Sequence, residues 1–171
     1  MQDNPLQEGI WRVDRQHSEI GFAVKSMWGL QTVRGVFGAY DGSLTVGAGR
    51  AEGELRIDAA SVDTGHKRRD RHLRSSDFFD VERHPRIVFT ARTITARNGG
   101  LRGTGQLAIG SSRVRLEVPV NVERTAGGAL RLEAVTTVSR KAAGVDWNML
   151  GVIRGDAVVN ARITLERGGV T

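Results

Sequence analysis

The four histidines of this 171-residue chain, His17, His66, His72 and His84, are the side chains best suited to hold a metal or move a proton. No two stand three or four residues apart and no His-Glu-x-x-His occurs, so the helical spacing of a zinc site is missing. His17 and His72 could still converge in space with Asp63 or Asp70. The plainer reading is that both bond local backbone at strand and helix ends. An acid/base enzyme would draw on His17, Asp70 and His72. A serine hydrolase would need a nucleophile on a sharp turn, yet there is no Gly-x-Ser-x-Gly, and neither a P-loop nor a dinucleotide fingerprint occurs. With no cysteine, a thiol nucleophile and a disulfide framework are both excluded. The expectation is a chain with no catalytic residue and no metal ligand.

The strongest local charge feature is Lys67, Arg68, Arg69, Arg71 and Arg74. Guanidinium forks grip phosphate oxygens in pairs, so the cluster could serve as an anion platform. Helical spacing puts Arg68 and Arg71 on one side, with Lys67 and Arg74 near its margin. Arg68, Arg71 and His72 are therefore the head-group candidates. Nucleic acid is not expected, because the interleaved stacking aromatics are absent. The competing reading is a solvated helix face. The net charge of +6 comes from a chain in which arginine supplies 22 of 25 basic residues. A basic chain favours phosphorylated ligands or anionic surfaces, but arginine spread over wet strand faces gives the same total.

The elements that must carry these residues are strands. Val114, Leu116, Val118, Val120 and Val122 alternate with polar residues, as do Ala157, Val159, Ala161, Ile163 and Leu165. Leu130 to Val138, Ile20 to Val24, Ile87 to Ala91 and Leu55 to Ile57 follow the same period of two, which puts one face on a core and one in water. Turn signals separate the runs at Asp41-Gly42, Asn98-Gly99-Gly100, Gly110-Ser111-Ser112 and Gly127-Gly128. Pro119 cannot donate to a ladder and marks an edge or a bulge. Residues 59–84 break the alternation, with a helix expected over roughly 65–75. Eight or so strands in one domain of residues 1–171 indicate an all-β sandwich or barrel. An outer-membrane barrel would alternate too, but an aromatic content of 5% could not furnish two girdles. No run of 18 apolar residues occurs, so no membrane-spanning helix is expected. The opening MQDNPLQEGIW lacks a basic region followed by an apolar one, and a cytoplasmic location is the expectation.

Small inward residues such as Ala134, Ala157 and Ala161 leave room along a barrel axis, although larger residues opposite could fill it. Trp11-x-x-Asp14-x-x-His17-Ser18, then Ile20-x-Phe22 and Val33-Arg34-Gly35-x-Phe37, resemble the opening of the YceI family. Residues 61–89 are similar to its central signature almost throughout. Arg140, Gly144-Val145, Trp147-Asn148 and Gly155-Asp156 match its close, so the resemblance covers about residues 11–167. It implies an extended antiparallel eight-stranded lipocalin-like barrel with one short helical insertion. It implies a pore that binds a polyisoprenoid, such as a quinone tail or polyprenyl phosphate, and a homodimer. Under that resemblance the pore lining is assigned to Phe22, Val24, Phe37, Phe78, Phe79 and Phe89, with at least two of the phenylalanines plain core. Val118, Val120, Leu132, Val159 and Ile163 complete it. No cofactor is expected beyond the bound isoprenoid itself. Ser26 stands where the family often has His, and Ala143 where it often has an aromatic. The hairpin between Trp147-Asn148 and Gly155-Asp156 is a few residues short, and all three departures concern the pore mouth. The expected function is non-catalytic carriage of the isoprenoid. The alternatives are a barrel enzyme acting on a lipid, or a structural module with a filled interior.

Overall fold

The computed structural model describes residues 6–97, 100–148 and 153–169. Its strands are β1 (Gly9–Ser26), β2 (Gln31–Phe37), β3 (Tyr40–Gly47), β4 (Arg50–Asp58) and β5 (Val62–Asp63). They continue as β6 (Arg86–Arg97), β7 (Gly100–Ile109), β8 (Ser112–Arg124), β9 (Leu130–Val138) and β10 (Arg154–Arg167). One helix, α1, spans Lys67–Arg74, within the stretch expected from the sequence.

All pairings are antiparallel, in the order β10-β9-β8-β7-β6-β4-β3-β1, and β1 pairs back onto β10. The result is a closed barrel of eight strands. Closure leaves no free edge running the length of the sheet. The 18-residue β1 makes it work, with one side on β10 throughout. Its other side pairs first with β3, Gly9 opposite Val46, and later with β2, Ile20 opposite Phe37. Thus β2 and β3 act as one interrupted strand, and β5 extends the wall beyond β4 by pairing Phe37 with Val62.

The motif around His17 locks the interruption in β1. Between Asp14 and Glu19 the register against β10 shifts. Asp14 there accepts from His17 Nδ1 at 2.5 Å and from the Gln16 amide at 2.9 Å. Ser18 Oγ donates to the Asp14 carbonyl and accepts from the Thr164 amide at 2.9 Å, while the Thr164 hydroxyl donates to the His17 carbonyl. The bulge is bonded from both strands, which compensates for the interrupted ladder.

One local reading of the sequence is corrected. Asp41-Gly42 is not a turn: both residues lie inside β3, opposite Arg56 and Leu55. Glycine is needed at 42 because a Cβ would run into the Glu54 carbonyl oxygen of the neighbouring strand. Pro119 stands at a local edge, as expected. It pairs with Arg102 of β7, and the pairing of β8 with β9 begins only at the next residue, Val120. The turns at Gly110-Ser111 and Gly127-Gly128 lie between strands as expected, while Asn98-Gly99 fall outside the described residues. No helix among the described residues is long and apolar enough to cross a membrane.

Candidate functional site

The alternating strands put their apolar faces inside the barrel, and those faces do not meet. An outer chamber of about 500 Å³ opens at the helix-bearing end, within the range of ligand pockets. A second chamber of about 220 Å³ continues deeper. Ile20, Ile57, Leu107, Val138 and Val159 line both, so the two meet at an apolar waist. Leu6, Leu44 and Leu165 line the deep end.

The structure puts the eleven expected pore residues on these walls. Phe22, Val24, Phe37, Phe78 and Phe79 line the outer chamber, and Phe89, Val118, Val120, Leu132 and Ile163 the inner one. Val159 stands at the waist. The rings of Phe22 and Phe37 lie 5.7 Å apart and those of Phe37 and Phe79 5.8 Å apart. The first pair is tilted and the second edge-on, both favourable arrangements for aromatic rings. Phe37 is also buried core. Ala143, one of the departures from the family pattern, is buried in the outer wall, and Ser26 lines the same chamber.

The outer chamber carries the polar groups Ser26, Gln31, Arg69, His72, Arg140 and Asn148, with no carboxylate among the described residues, while Ser43, Glu54 and Thr136 are the polar residues beside the inner one. Here the head-group assignment changes. Arg68 and Arg71 are exposed and line neither chamber, whereas Arg69, His72 and Leu73 face inward. The cause is helix phase: positions 69, 72 and 73 share the face that docks on the barrel. Arg69 is held by Nε to Thr64 Oγ1 at 2.8 Å and Nη2 to the Thr64 carbonyl at 3.0 Å. Arg140, quoted in the sequence only as part of the closing motif, donates from Nε to the Gly155 carbonyl at 2.9 Å. Its Nη1 is shut off from solvent with no hydrogen-bond partner among the described residues. An orphaned donor of this sort is costly until an acceptor reaches it.

The acid/base set of the enzyme alternative is divided among separate local partners. His17 pairs with Asp14 on β1. Asp70 is buried and accepts from the Thr64 amide at 2.9 Å and from its hydroxyl. His72 Nε2 meets Asp77 at 2.9 Å, and its ring stands edge-on to Trp147 at 4.4 Å and to Phe78 at 5.2 Å. Among the described residues no three His, Asp or Glu side chains are grouped to hold a metal ion.

The model of the YceI-like domain matches residues 11–166. A UPF0312 protein of Photorhabdus laumondii is 36% identical over 97 residues, which is 55% of this chain and 50% of that one. Protein YceI of Escherichia coli O17:K52:H18 is 30% identical over 104 residues, 58% of this chain and 54% of that one. The chain thus matches about half the length of these curated relatives. Among solved structures, Burkholderia cenocepacia BcnA superposes with a TM-score of 0.80 at 21% identity, covering 89% of this chain and 98% of that one. A polyisoprenoid-binding domain from Saccharophagus degradans, implicated in plant cell wall breakdown, gives a TM-score of 0.78 at 15% identity, covering 95% and 100%. At such identities these two structures speak for the fold alone.

Proposed function

The chain belongs to the YceI-like domain family, and from that premise we propose that it binds and carries a polyisoprenoid without transforming it. The observation that carries the reading is the pair of apolar chambers joined end to end inside a closed barrel. A long, slender apolar tail matches that shape, and each buried methylene contributes about 0.8 kcal/mol, so affinity needs no polar contact along the tail. The name of the Saccharophagus degradans neighbour points the same way. The open chambers count against a structural module with a filled interior. The scattered partners of His17, Asp70 and His72 count against a lipid-transforming enzyme.

In this reading the tail lies through the waist, among Phe22, Val118, Leu132 and Val159. Its head, a quinone ring or a phosphate, stays at the rim, where Arg69, Arg140 and His72 replace Arg68 and Arg71 as the partners. An oxygen acceptor reaching Arg140 Nη1 would satisfy the orphaned donor. The cargo is the one bound group proposed, with no resident cofactor. Homodimer formation is part of the proposal and rests on the family likeness.

Bulk placed in the open chamber tests this without touching the core. Ala157→Phe should abolish displacement of an apolar fluorescent probe by a prenyl-tailed quinone, while circular dichroism stays native. Undiminished displacement by the variant would sink the proposal.

A further inference from the structure

The tip of the β1–β2 hairpin carries apolar side chains that the fold does not use. Ser26 and Gln31 face each other across the base of the tip and both line the outer chamber. The four residues between them are exposed, and three of them are large and apolar: Met27 at 46%, Trp28 at 51% and Leu30 at 88% exposure. Met27 and Trp28 also hold φ values of 51° and 54°. Side chains other than glycine seldom adopt that left-handed backbone, and such outliers gather where a segment has work to do. The turn is closed by the Leu30 amide on the Met27 carbonyl at 3.1 Å, so the tip is a formed element.

The charges around this end have a sign. Helix α1 lies at the same mouth, since Arg69 and His72 line the chamber that Ser26 and Gln31 line. Its outward face presents Lys67, Arg68 and Arg71, the cluster left without a role by the pore itself. Lys25 and Lys141 are exposed nearby, against exposed Asp63, Asp146 and Asp156, while Asp77 is taken by His72. Cations exceed acids here, as they do in the whole chain.

We propose that the Met27–Leu30 tip and the outward face of α1 dock the barrel mouth on an anionic lipid bilayer. Trp28 would sit at the head-group boundary, where an amphipathic ring is best placed. Met27 and Leu30 would enter the acyl margin, and Lys67, Arg68 and Arg71 would lie over anionic head groups. A bilayer fits better than a protein partner because the apolar tip adjoins an apolar chamber. A lipid tail could pass from the acyl layer into the barrel without crossing water. The docking rests on the hairpin and the helix rather than on the cargo, so either can fail alone.

The test floats the full chain with vesicles of phosphatidylcholine alone or with added phosphatidylglycerol. The expected result is recovery with the anionic vesicles, falling as salt rises. Trp28→Ser with Leu30→Ser should cut recovery at least about tenfold. Arg68→Gln with Arg71→Gln should cut it several-fold. Brominated lipid should quench a fluorescence component that Trp28→Phe removes. Binding of an apolar dye in the chamber checks that each variant is folded. The proposal is overturned by no recovery with either vesicle, or by equal recovery of parent and hairpin variant. It is overturned equally if the hairpin variant turns a dimer into a monomer and vesicles never bind, because the tip would then meet a second copy.

Discussion

Gly35 is buried in β2 beside Phe22, and a Cβ there would overlap the Phe22 ring and press on the Thr64 methyl at 3.0 Å. Phe22 lines the outer chamber, so Gly35→Ala should act on the pore more than on the fold. Probe affinity should fall several-fold, with a stability loss of about 1–2 kcal/mol seen by urea titration. Unchanged affinity would show that Phe22 does not shape the chamber. Asp14 belongs to the fold alone. The hydrogen bond from His17 holds its carboxyl below the usual carboxylate range, helped by the Gln16 amide and opposed by burial. A pKa lower in the folded than in the unfolded chain adds stability that is complete above the ordinary value near 4 and is lost as pH falls through the folded value. Melting temperature should therefore decline more below about pH 4 in the parent than in Asp14→Asn. Identical acid limbs would remove Asp14 from the account. Trp11, Asp14, His17 and Ser18 were legible as a motif in the sequence, but their spacing carries no hint that the last three close a bulge. That role becomes visible only when Thr164, distant in sequence, supplies the other half of the bonds.

At the scale of elements, most strands were legible because their side chains alternate between the two faces. In β9 every second residue from Leu130 to Val138 turns inward, and β8 repeats this from Val114 to Val122. The first half of β1 hid behind the polar string Arg12 to Ser18, whose pairing is fixed by partner strands rather than by its own pattern. Helix α1 was legible in place but not in phase. An eight-residue helix with one apolar residue offers no stripe from which to choose a buried side. What sets the phase is a clamp outside it. Thr64 holds Arg69 and the buried Asp70, while Arg74 donates to the Ala60 carbonyl at 2.8 Å and the Val62 carbonyl at 3.0 Å. Thr64→Val strips two of those bonds and leaves Asp70 under-satisfied, so denaturant melts should show a loss of about 1–3 kcal/mol. Arg68→Gln with Arg71→Gln should stay within about 0.5 kcal/mol of the parent. The reverse ranking would mean that the exposed pair, and not the clamp, seats the helix.

For the whole molecule, the closed ring follows from chain-wide regularities: strands of one period, short turns and a first strand long enough to serve two partners. The interior could not be read this way. Alternation says which residues face inward, not whether they touch, and small residues such as Ala157 and Ala161 suit either a filled or a hollow barrel. The rim was the least legible part, because Arg69 and Arg140 reach it from segments without periodicity. Tail length tests the carrier account most directly. Isothermal titration with prenyl-tailed quinones of increasing length should show affinity rising by at least about tenfold for each added isoprene unit that enters the barrel. The rise should stop once the inner chamber is full, and Ala157→Phe should flatten the series. Affinity independent of tail length, or no binding at any length, would contradict a barrel built to hold an isoprenoid chain.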